Sequence, residues 1–190
     1  MKKYDVYDFD KTLYINDSTV MFYLYCLKNN KKVRKYLPTH ILYFIKYQLK
    51  LIKKQVFKEK FFEFVECIED IDKEVENFWK ENKTKIRFNL LEKTDNEKIV
   101  ISASPEFLLN NICKEIGVSR VMASEVDKKT GKFYSNNCFG EEKVKRFNKE
   151  FKNAEIENFF SDSLSDTPLA EISKNSYLVK KNKVVDWIYK

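Results

Sequence analysis

The stretch Val6-Tyr7-Asp8-Phe9-Asp10-Lys11-Thr12-Leu13 restricts the fold of this 190-residue chain more than any other. An aromatic and β-branched run, read as a short buried strand over residues 4–9, stops at two carboxylates on alternate residues, with a threonine two positions later. In a period-2 strand Asp8 and Asp10 point the same way, so their charges repel within a few ångströms unless a cation lies between them. The residues alone thus suggest a strand end that holds a divalent metal and offers one aspartate as a nucleophile.

Two later strands end in the same manner. Lys98-Ile99-Val100-Ile101 runs into Ser102-Ala103-Ser104-Pro105-Glu106, and Ile156 to Phe160 runs into Ser161-Asp162-Ser163-Leu164-Ser165-Asp166. Ser104 reads as an N-cap and Pro105 as the first residue of a helix closing at Gly117. Val118 to Val126 reads as a strand turned back by residues 127–132, Glu141 to about Phe151 as a helix, Pro168 to Ser173 as another, and 177–179 and 184–187 as terminal strands. Strands alternating with helices predict an α/β fold: a Rossmann-like three-layer sandwich whose mostly parallel sheet is covered on both faces. In such sheets ligands sit beyond the carboxyl ends of the strands, where the three polar clusters converge.

Residues 17–88 are different, helical throughout with no strand signal, and are expected to form an inserted all-α subdomain, with 1–16 and 89–190 as the core. Asn16-Asp17-Ser18 supplies N-cap residues for a helix over 19–27, and Pro38 suits the first turn of a helix reaching about Lys53. That second helix is apolar nearly all round, so neighbours are expected to cover much of it, and His40 on it reads as structural. Val56 to Ile68 places Phe57, Phe61, Phe64, Val65 and Ile68 on one helical face.

The net charge of +7 is concentrated in this insert, since residues 17–87 hold 16 Lys and Arg against 10 Asp and Glu. Between Lys28 and Lys60 there are 11 basic residues and a single acid, Glu59. Four scattered cysteines and one histidine argue against a disulfide framework or a zinc site and for reduced thiols in a cytoplasmic protein. No apolar run reaches the length of a membrane span, and the start of the chain lacks the apolar region of a signal peptide.

Asp8, Asp10, Asp162 and Asp166 cannot all ionise in one crevice without a counter-charge, and a hard cation bound by oxygen, magnesium above all, resolves this. At this point the sequence resembles a known family. Asp-x-Asp-x-Thr at residues 8–12, the strand-terminal Ser102, a lysine in the 141–145 segment, and Asp162 with Asp166 are similar, in order, to the four motifs of the haloacid dehalogenase superfamily. Ser-Ala-Ser-Pro-Glu, Gly-Glu-Glu-Lys and Ser-Asp-Ser-x-Ser-Asp resemble its phosphoserine-phosphatase-like branch, which carries a helical cap between the first two motifs.

The resemblance implies that Asp8 attacks phosphorus to give an aspartyl-phosphate and that Asp10 serves as general acid and then base. It implies that Ser102 and Lys143 hold the phosphoryl oxygens, with Thr12 beside them steadying the turn that projects Asp10. Asp8, the backbone carbonyl of Asp10, and Asp162 would ligate magnesium, with Asp166 completing or orienting that shell and Ser104 in support. Alternatives stand beside these roles: Lys145 in place of Lys143, Ser104 as a helix cap, and Asp166 as the cap of the helix opened by Thr167-Pro168. Asp17 occupies the place of an acid that meets the substrate amino group in phosphoserine phosphatases, and is equally a helix cap. Ala103-Ser104 replaces their usual Gly-Gly, which argues against phosphoserine.

The expected activity is a magnesium-dependent phosphatase acting on a small organic phosphate ester. The rival, not favoured because charge runs are usually solvated faces, is a protein of this fold whose basic cap binds nucleic acid or anionic lipid headgroups, with or without catalysis. Arg34 and Arg87 read as solvated surface charges or contacts to a second anionic group. The oligomeric state is not legible in the sequence.

Overall fold

Six strands form one sheet in the order β3-β2-β1-β4-β5-β6. The computed structural model describes residues 2–92, 94–181 and 183–188. Here β1 is Lys2–Tyr7, β2 Glu97–Pro105, β3 Arg120–Ser124, β4 Ala154–Ser161, β5 Ser173–Lys180 and β6 Lys183–Asp186. All neighbours are parallel except β5 and β6, which pair as an antiparallel hairpin at the edge. The strand order reverses around β1, so the first connection places a crevice at its carboxyl end.

Side chains alternate across the sheet, with one break in β4, where the register against β1 shifts between Ile156 and Asn158. Val6, Ile99, Ile101 and Phe159 enter one buried cluster, closed by Phe147 from α7 (Glu141–Glu150) and Leu169 from α8 (Thr167–Glu171). Tyr7, Val100 and Phe160 enter the other, closed by Leu108, Leu109 and Ile112 from α6 (Glu106–Glu115) and by the helices between β1 and β2. This is the period-2 pattern of strands buried on both faces, and it yields the expected three-layer α/β sandwich. Tyr7 stacks on Phe160 with ring centroids 4.9 Å apart, locking the first and fourth strands in register beside the crevice. At the opposite end of β1 the buried Asp5 accepts hydrogen bonds from Thr94, Asn96 and Asn158, which satisfies its carboxylate.

Between β1 and β2 lie α1 (Ser18–Asn29), α2 (Leu37–Gln48), α3 (Lys54–Phe62), α4 (Ile71–Asn82) and α5 (Phe88–Leu91), with 3-10 turns in every connection but that from α2 to α3. Asp17 caps α1, its carboxylate accepting from the Val20 N–H at 3.0 Å. The helix expected over 56–68 ends at Phe62 and continues as a 3-10 turn through Cys67, and the one expected to reach Lys53 ends at Gln48. Among the described residues no helix is long and apolar enough to cross a membrane.

One expectation is reversed here. The outer side of α2 is not covered: Ile41, Leu42, Phe44 and Ile45 are all about half exposed or more, and only His40 of this helix is buried. His40 is structural as expected, its Nδ1 lying 2.7 Å from the Tyr23 hydroxyl.

Candidate active site

The first strand stops at Tyr7, two residues earlier than its composition suggests, so Asp8 and Asp10 sit on the loop beyond it. The alternate-residue argument therefore does not govern them, and the two carboxylates take different partners. The Asp8 N–H donates to the Phe160 carbonyl at 2.8 Å, which fixes Asp8 at the mouth of the β1–β4 step. Its Oδ1 accepts from Lys143 Nζ at 2.8 Å. Asp10 turns the other way, where Oδ1 accepts from the Ser18 N–H at 2.7 Å and Oδ2 from the Ser104 hydroxyl.

Lys143 is fully buried and joins Asp8 to Asp166, whose Oδ2 lies 2.8 Å from its ammonium and also accepts from Ser161. The lysine reaches the cleft because Gly140, at φ +57°, starts α7 just below it. Lys145, two positions on, is exposed on another surface, so of the two lysines it is Lys143 that lines the cleft. Asp166 makes no capping bond to α8, which corrects the capping alternative; its carboxylate belongs to the Lys143 cluster. Ser104 is corrected likewise. It lies within β2, Pro105 precedes α6, and the serine hydroxyl serves Asp10 and Thr19 instead of a helix end.

Asp8, Asp10, Asp17, Ser102, Lys143, Asp162 and Asp166 all line one cleft of about 450 Å³. Thr12 is not on its wall: it is fully buried behind the loop, with a hydroxyl that has no hydrogen-bond partner among the described residues. Its carbonyl and that of Lys11 accept from Arg87, which also donates to the Lys181 carbonyl. Arg87 is thus a clamp on the loop carrying Asp10, where Lys11 takes a left-handed φ of 58°, and not a solvated charge. Arg34 donates to the Leu27 and Lys28 carbonyls on the exposed surface.

Electrostatically the floor of the cleft is short of positive charge. Burial pushes the Asp8 carboxyl up to about 7, with Asp166 and Asp10 adding to the effect and Lys143 opposing it. Burial, then Asp17, pushes Asp10 up to about 6, against the hydrogen bonds from Ser104 and Ser18. Burial disfavours charge on Lys143, but Asp8 and Asp166 outweigh it and hold the ammonium well above its ordinary range. Burial raises Asp162 also, while Lys11 lowers it.

Among the described residues no three His, Cys, Asp or Glu side chains are gathered around one point. The donors that face the cleft are nevertheless all oxygens. Asp8 and Asp162 are on its wall, and Asp166 Oδ1 is buried with no hydrogen-bond partner. A surplus of carboxylates with one orphaned oxygen fits a hard divalent cation and no softer one.

The roof of the cleft holds residues that the sequence did not assign to the site. Phe44, Phe57, Phe61, Phe62 and Phe139 make it apolar, and Lys54 and Lys58 add two cations from α3. Lys54 sits over the Phe139 ring at 3.6 Å, and Lys58 donates to the Ala103 carbonyl at 2.7 Å and to Asn137 at 2.8 Å. Burial and the adjacent Lys54 bring Lys58 down to about 8. In the sequence, both were hidden among the charges of a helix whose aromatic face dominated its pattern.

Residues 6–171 match the haloacid dehalogenase-like hydrolases, and the chain belongs to that family. Among solved structures, the fold resembles a protein of unknown function from Bordetella pertussis Tohama I, at 17% identity and TM-score 0.78, covering 93% of this chain and 89% of that one. A phosphoserine phosphohydrolase-like protein from Francisella tularensis subsp. tularensis SCHU S4 matches at 14% identity and TM-score 0.55, over 93% and 86% of the two chains. A substrate-bound phosphoserine phosphatase matches at 15% identity and TM-score 0.53, over 93% and 85%. No curated protein sequence is significantly similar to this chain.

The Ser104 contact leads to a direct expectation. Ser104→Ala removes the side-chain hydrogen bond that holds Asp10 Oδ2 and lowers its pKa. The variant should lose about tenfold in turnover, and the limb of its pH–rate profile that follows Asp10 ionisation should move to higher pH. Rate measurements across pH on a phosphate monoester check both.

Proposed function

We propose that this hydrolase is a magnesium-dependent phosphomonoesterase that works through an aspartyl-phosphate on Asp8, with residues 17–88 as a cap over a core of 1–16 and 89–190. The observation that carries the reading is the split environment of two carboxylates in one cleft, Asp8 tied to Lys143 and Asp10 tied to Ser18 and Ser104. Two acids held in different surroundings can take two chemical roles.

In this reading an Asp8 oxygen attacks phosphorus and the phosphorus–oxygen ester bond breaks. Asp10, whose raised pKa lets it carry a proton near neutrality, gives that proton to the departing alkoxide. A water then loses a proton to Asp10 and attacks the same phosphorus, which frees phosphate and restores the Asp8 carboxylate. Lys143 and Ser102 hold the phosphoryl oxygens as charge redistributes among them. Magnesium would be held by Asp8, Asp162 and the Asp10 carbonyl, with Asp166 behind them, and would supply neutralising charge to the phosphoryl group. Thr12 supports the loop from behind the cleft.

The cleft volume suits a small organic phosphate, and its phenylalanine roof favours a leaving group with an apolar surface over a compact zwitterion such as phosphoserine. The test is phosphate release from a panel of phosphate monoesters with magnesium, without it, and after chelation. Turnover that survives chelation contradicts the reading.

Lys58 gives a second measurable consequence. Its pKa near 8 means that its positive charge is present below that pH and lost above it. KM for an anionic ester should therefore rise as pH passes from about 7 to about 9, and Lys58→Met should raise KM at pH 7 and flatten that rise. KM determined at several pH values for both proteins checks it.

A further inference from the structure

We infer that the outer face of α2 is a docking surface for an anionic lipid bilayer, with the helix lying in the plane of the membrane interface. The helix is inside out for a protein surrounded by water. Its inward side carries the polar handles, with His40 bonded to Tyr23 and Tyr47 stacked on Phe57 at 5.2 Å. Its outward side presents Leu37, Ile41, Leu42, Phe44, Ile45 and, just past the end, Leu49 over about 160° of the circumference, with Gln48 the one polar residue among them. Leu49 is 64% exposed, and Leu51 in the following turn is 69% exposed. A contiguous aliphatic face of this kind marks an interaction surface.

The surrounding charge says what covers it. From Ser18 to Lys58 the chain contains ten lysines and arginines and no acid. Lys31, Lys32, Arg34 and Lys35 stand exposed before α2, and Lys50 and Lys53 stand exposed after it. A second copy of the chain would cover the aliphatic face only by bringing two such cationic clusters together, which like-charge repulsion opposes. Nucleic acid would satisfy the lysines and leave the aliphatic face in water. An anionic bilayer satisfies both, taking the aliphatic side chains between its headgroups and the lysines against its phosphates. At 12 residues α2 is about 18 Å long, too short to cross the roughly 30 Å hydrocarbon layer, so it lies along the interface. Phe44 belongs both to this face and to the wall of the cleft, so a docked molecule holds that wall at the lipid surface.

The test is flotation of the full chain with vesicles of phosphatidylcholine alone and of phosphatidylcholine mixed with phosphatidylglycerol, at low and high salt. Association with the mixed vesicles, weakened by salt and much weaker with neutral ones, is expected. Ile41→Gln/Ile45→Gln and, separately, Lys50→Gln/Lys53→Gln should each lower the affinity by about tenfold or more, while p-nitrophenyl phosphate turnover and the thermal melt stay unchanged. Failure to associate with the mixed vesicles overturns the inference. So does sedimentation velocity that reveals a dimer which Ile41→Gln/Ile45→Gln dissociates, because a second copy then covers the face. Binding that the isoleucine substitutions leave intact but a single-stranded oligonucleotide displaces would assign the lysines to nucleic acid and overturn it equally. Vesicle binding and ester turnover are separate readouts, so either can fail alone.

Discussion

Asp8→Asn is expected to reduce turnover of p-nitrophenyl phosphate by on the order of 10⁴-fold or more, with the fold intact. The amide keeps the shape of the carboxylate, and its oxygen can still accept the hydrogen bond that Lys143 donates to Asp8 Oδ1. What it loses is the proposed nucleophile. Stability should stay level or rise, because burial already disfavours the Asp8 charge and a neutral side chain does not incur that cost. Steady-state phosphate release and a thermal melt on the same preparation separate the two effects. A variant that is merely unfolded would lose both.

Lys143→Met should be the most destabilising single substitution in the cleft. It removes the ammonium shared by Asp8 and Asp166 and leaves two buried carboxylates facing each other, at a cost of about 3–5 kcal/mol. The loss should depend on pH, with a definite sign. Lys143 is the main group that lowers the Asp8 pKa, so its removal lifts an already raised value further above that of the unfolded chain. A carboxyl with a raised folded pKa binds more protons folded than unfolded, so stability falls as pH rises from about 4 through the folded pKa. Urea denaturation of the variant should therefore show a smaller deficit against wild type at about pH 5 than at about pH 8. An equal deficit at both would mean that Asp8 is not the group left unpaired.

The sheet was readable because its strands are short apolar runs that end abruptly in polar clusters, and the clusters fall at one end of parallel neighbours. Ser102, Lys143, Asp162 and Asp166 are each many residues from Asp8 in sequence and share its cleft in space. Boundaries were less readable where tertiary contacts decide them. β1 gives way at Tyr7 although the Asp8 N–H still donates to the Phe160 carbonyl of β4, and β2 runs on through Ser104, whose hydroxyl donates to Asp10. Neither partner is local.

Arg87 could not be recognised as a clamp, since its acceptors are backbone carbonyls of Lys11, Thr12 and Lys181, which carry no residue-type signal. Lys54 and Lys58 were obscured by the charge of their own segment. The apolar composition of α2 was plain, but composition does not say which side of a helix is covered. A helix apolar all round normally reads as buried, and here its polar aromatic groups face inward and its aliphatic ones outward.

Asp8 is expected to carry the phosphoryl group during turnover. Rapid acid quenching during hydrolysis of a radiolabelled phosphate monoester, followed by peptide mapping, tests it most directly. The expected result is a phosphoryl label on the peptide containing Asp8 that is released by hydroxylamine and is missing in Asp8→Asn. Full turnover with no label at any quench time, or a label on a different residue, would contradict it.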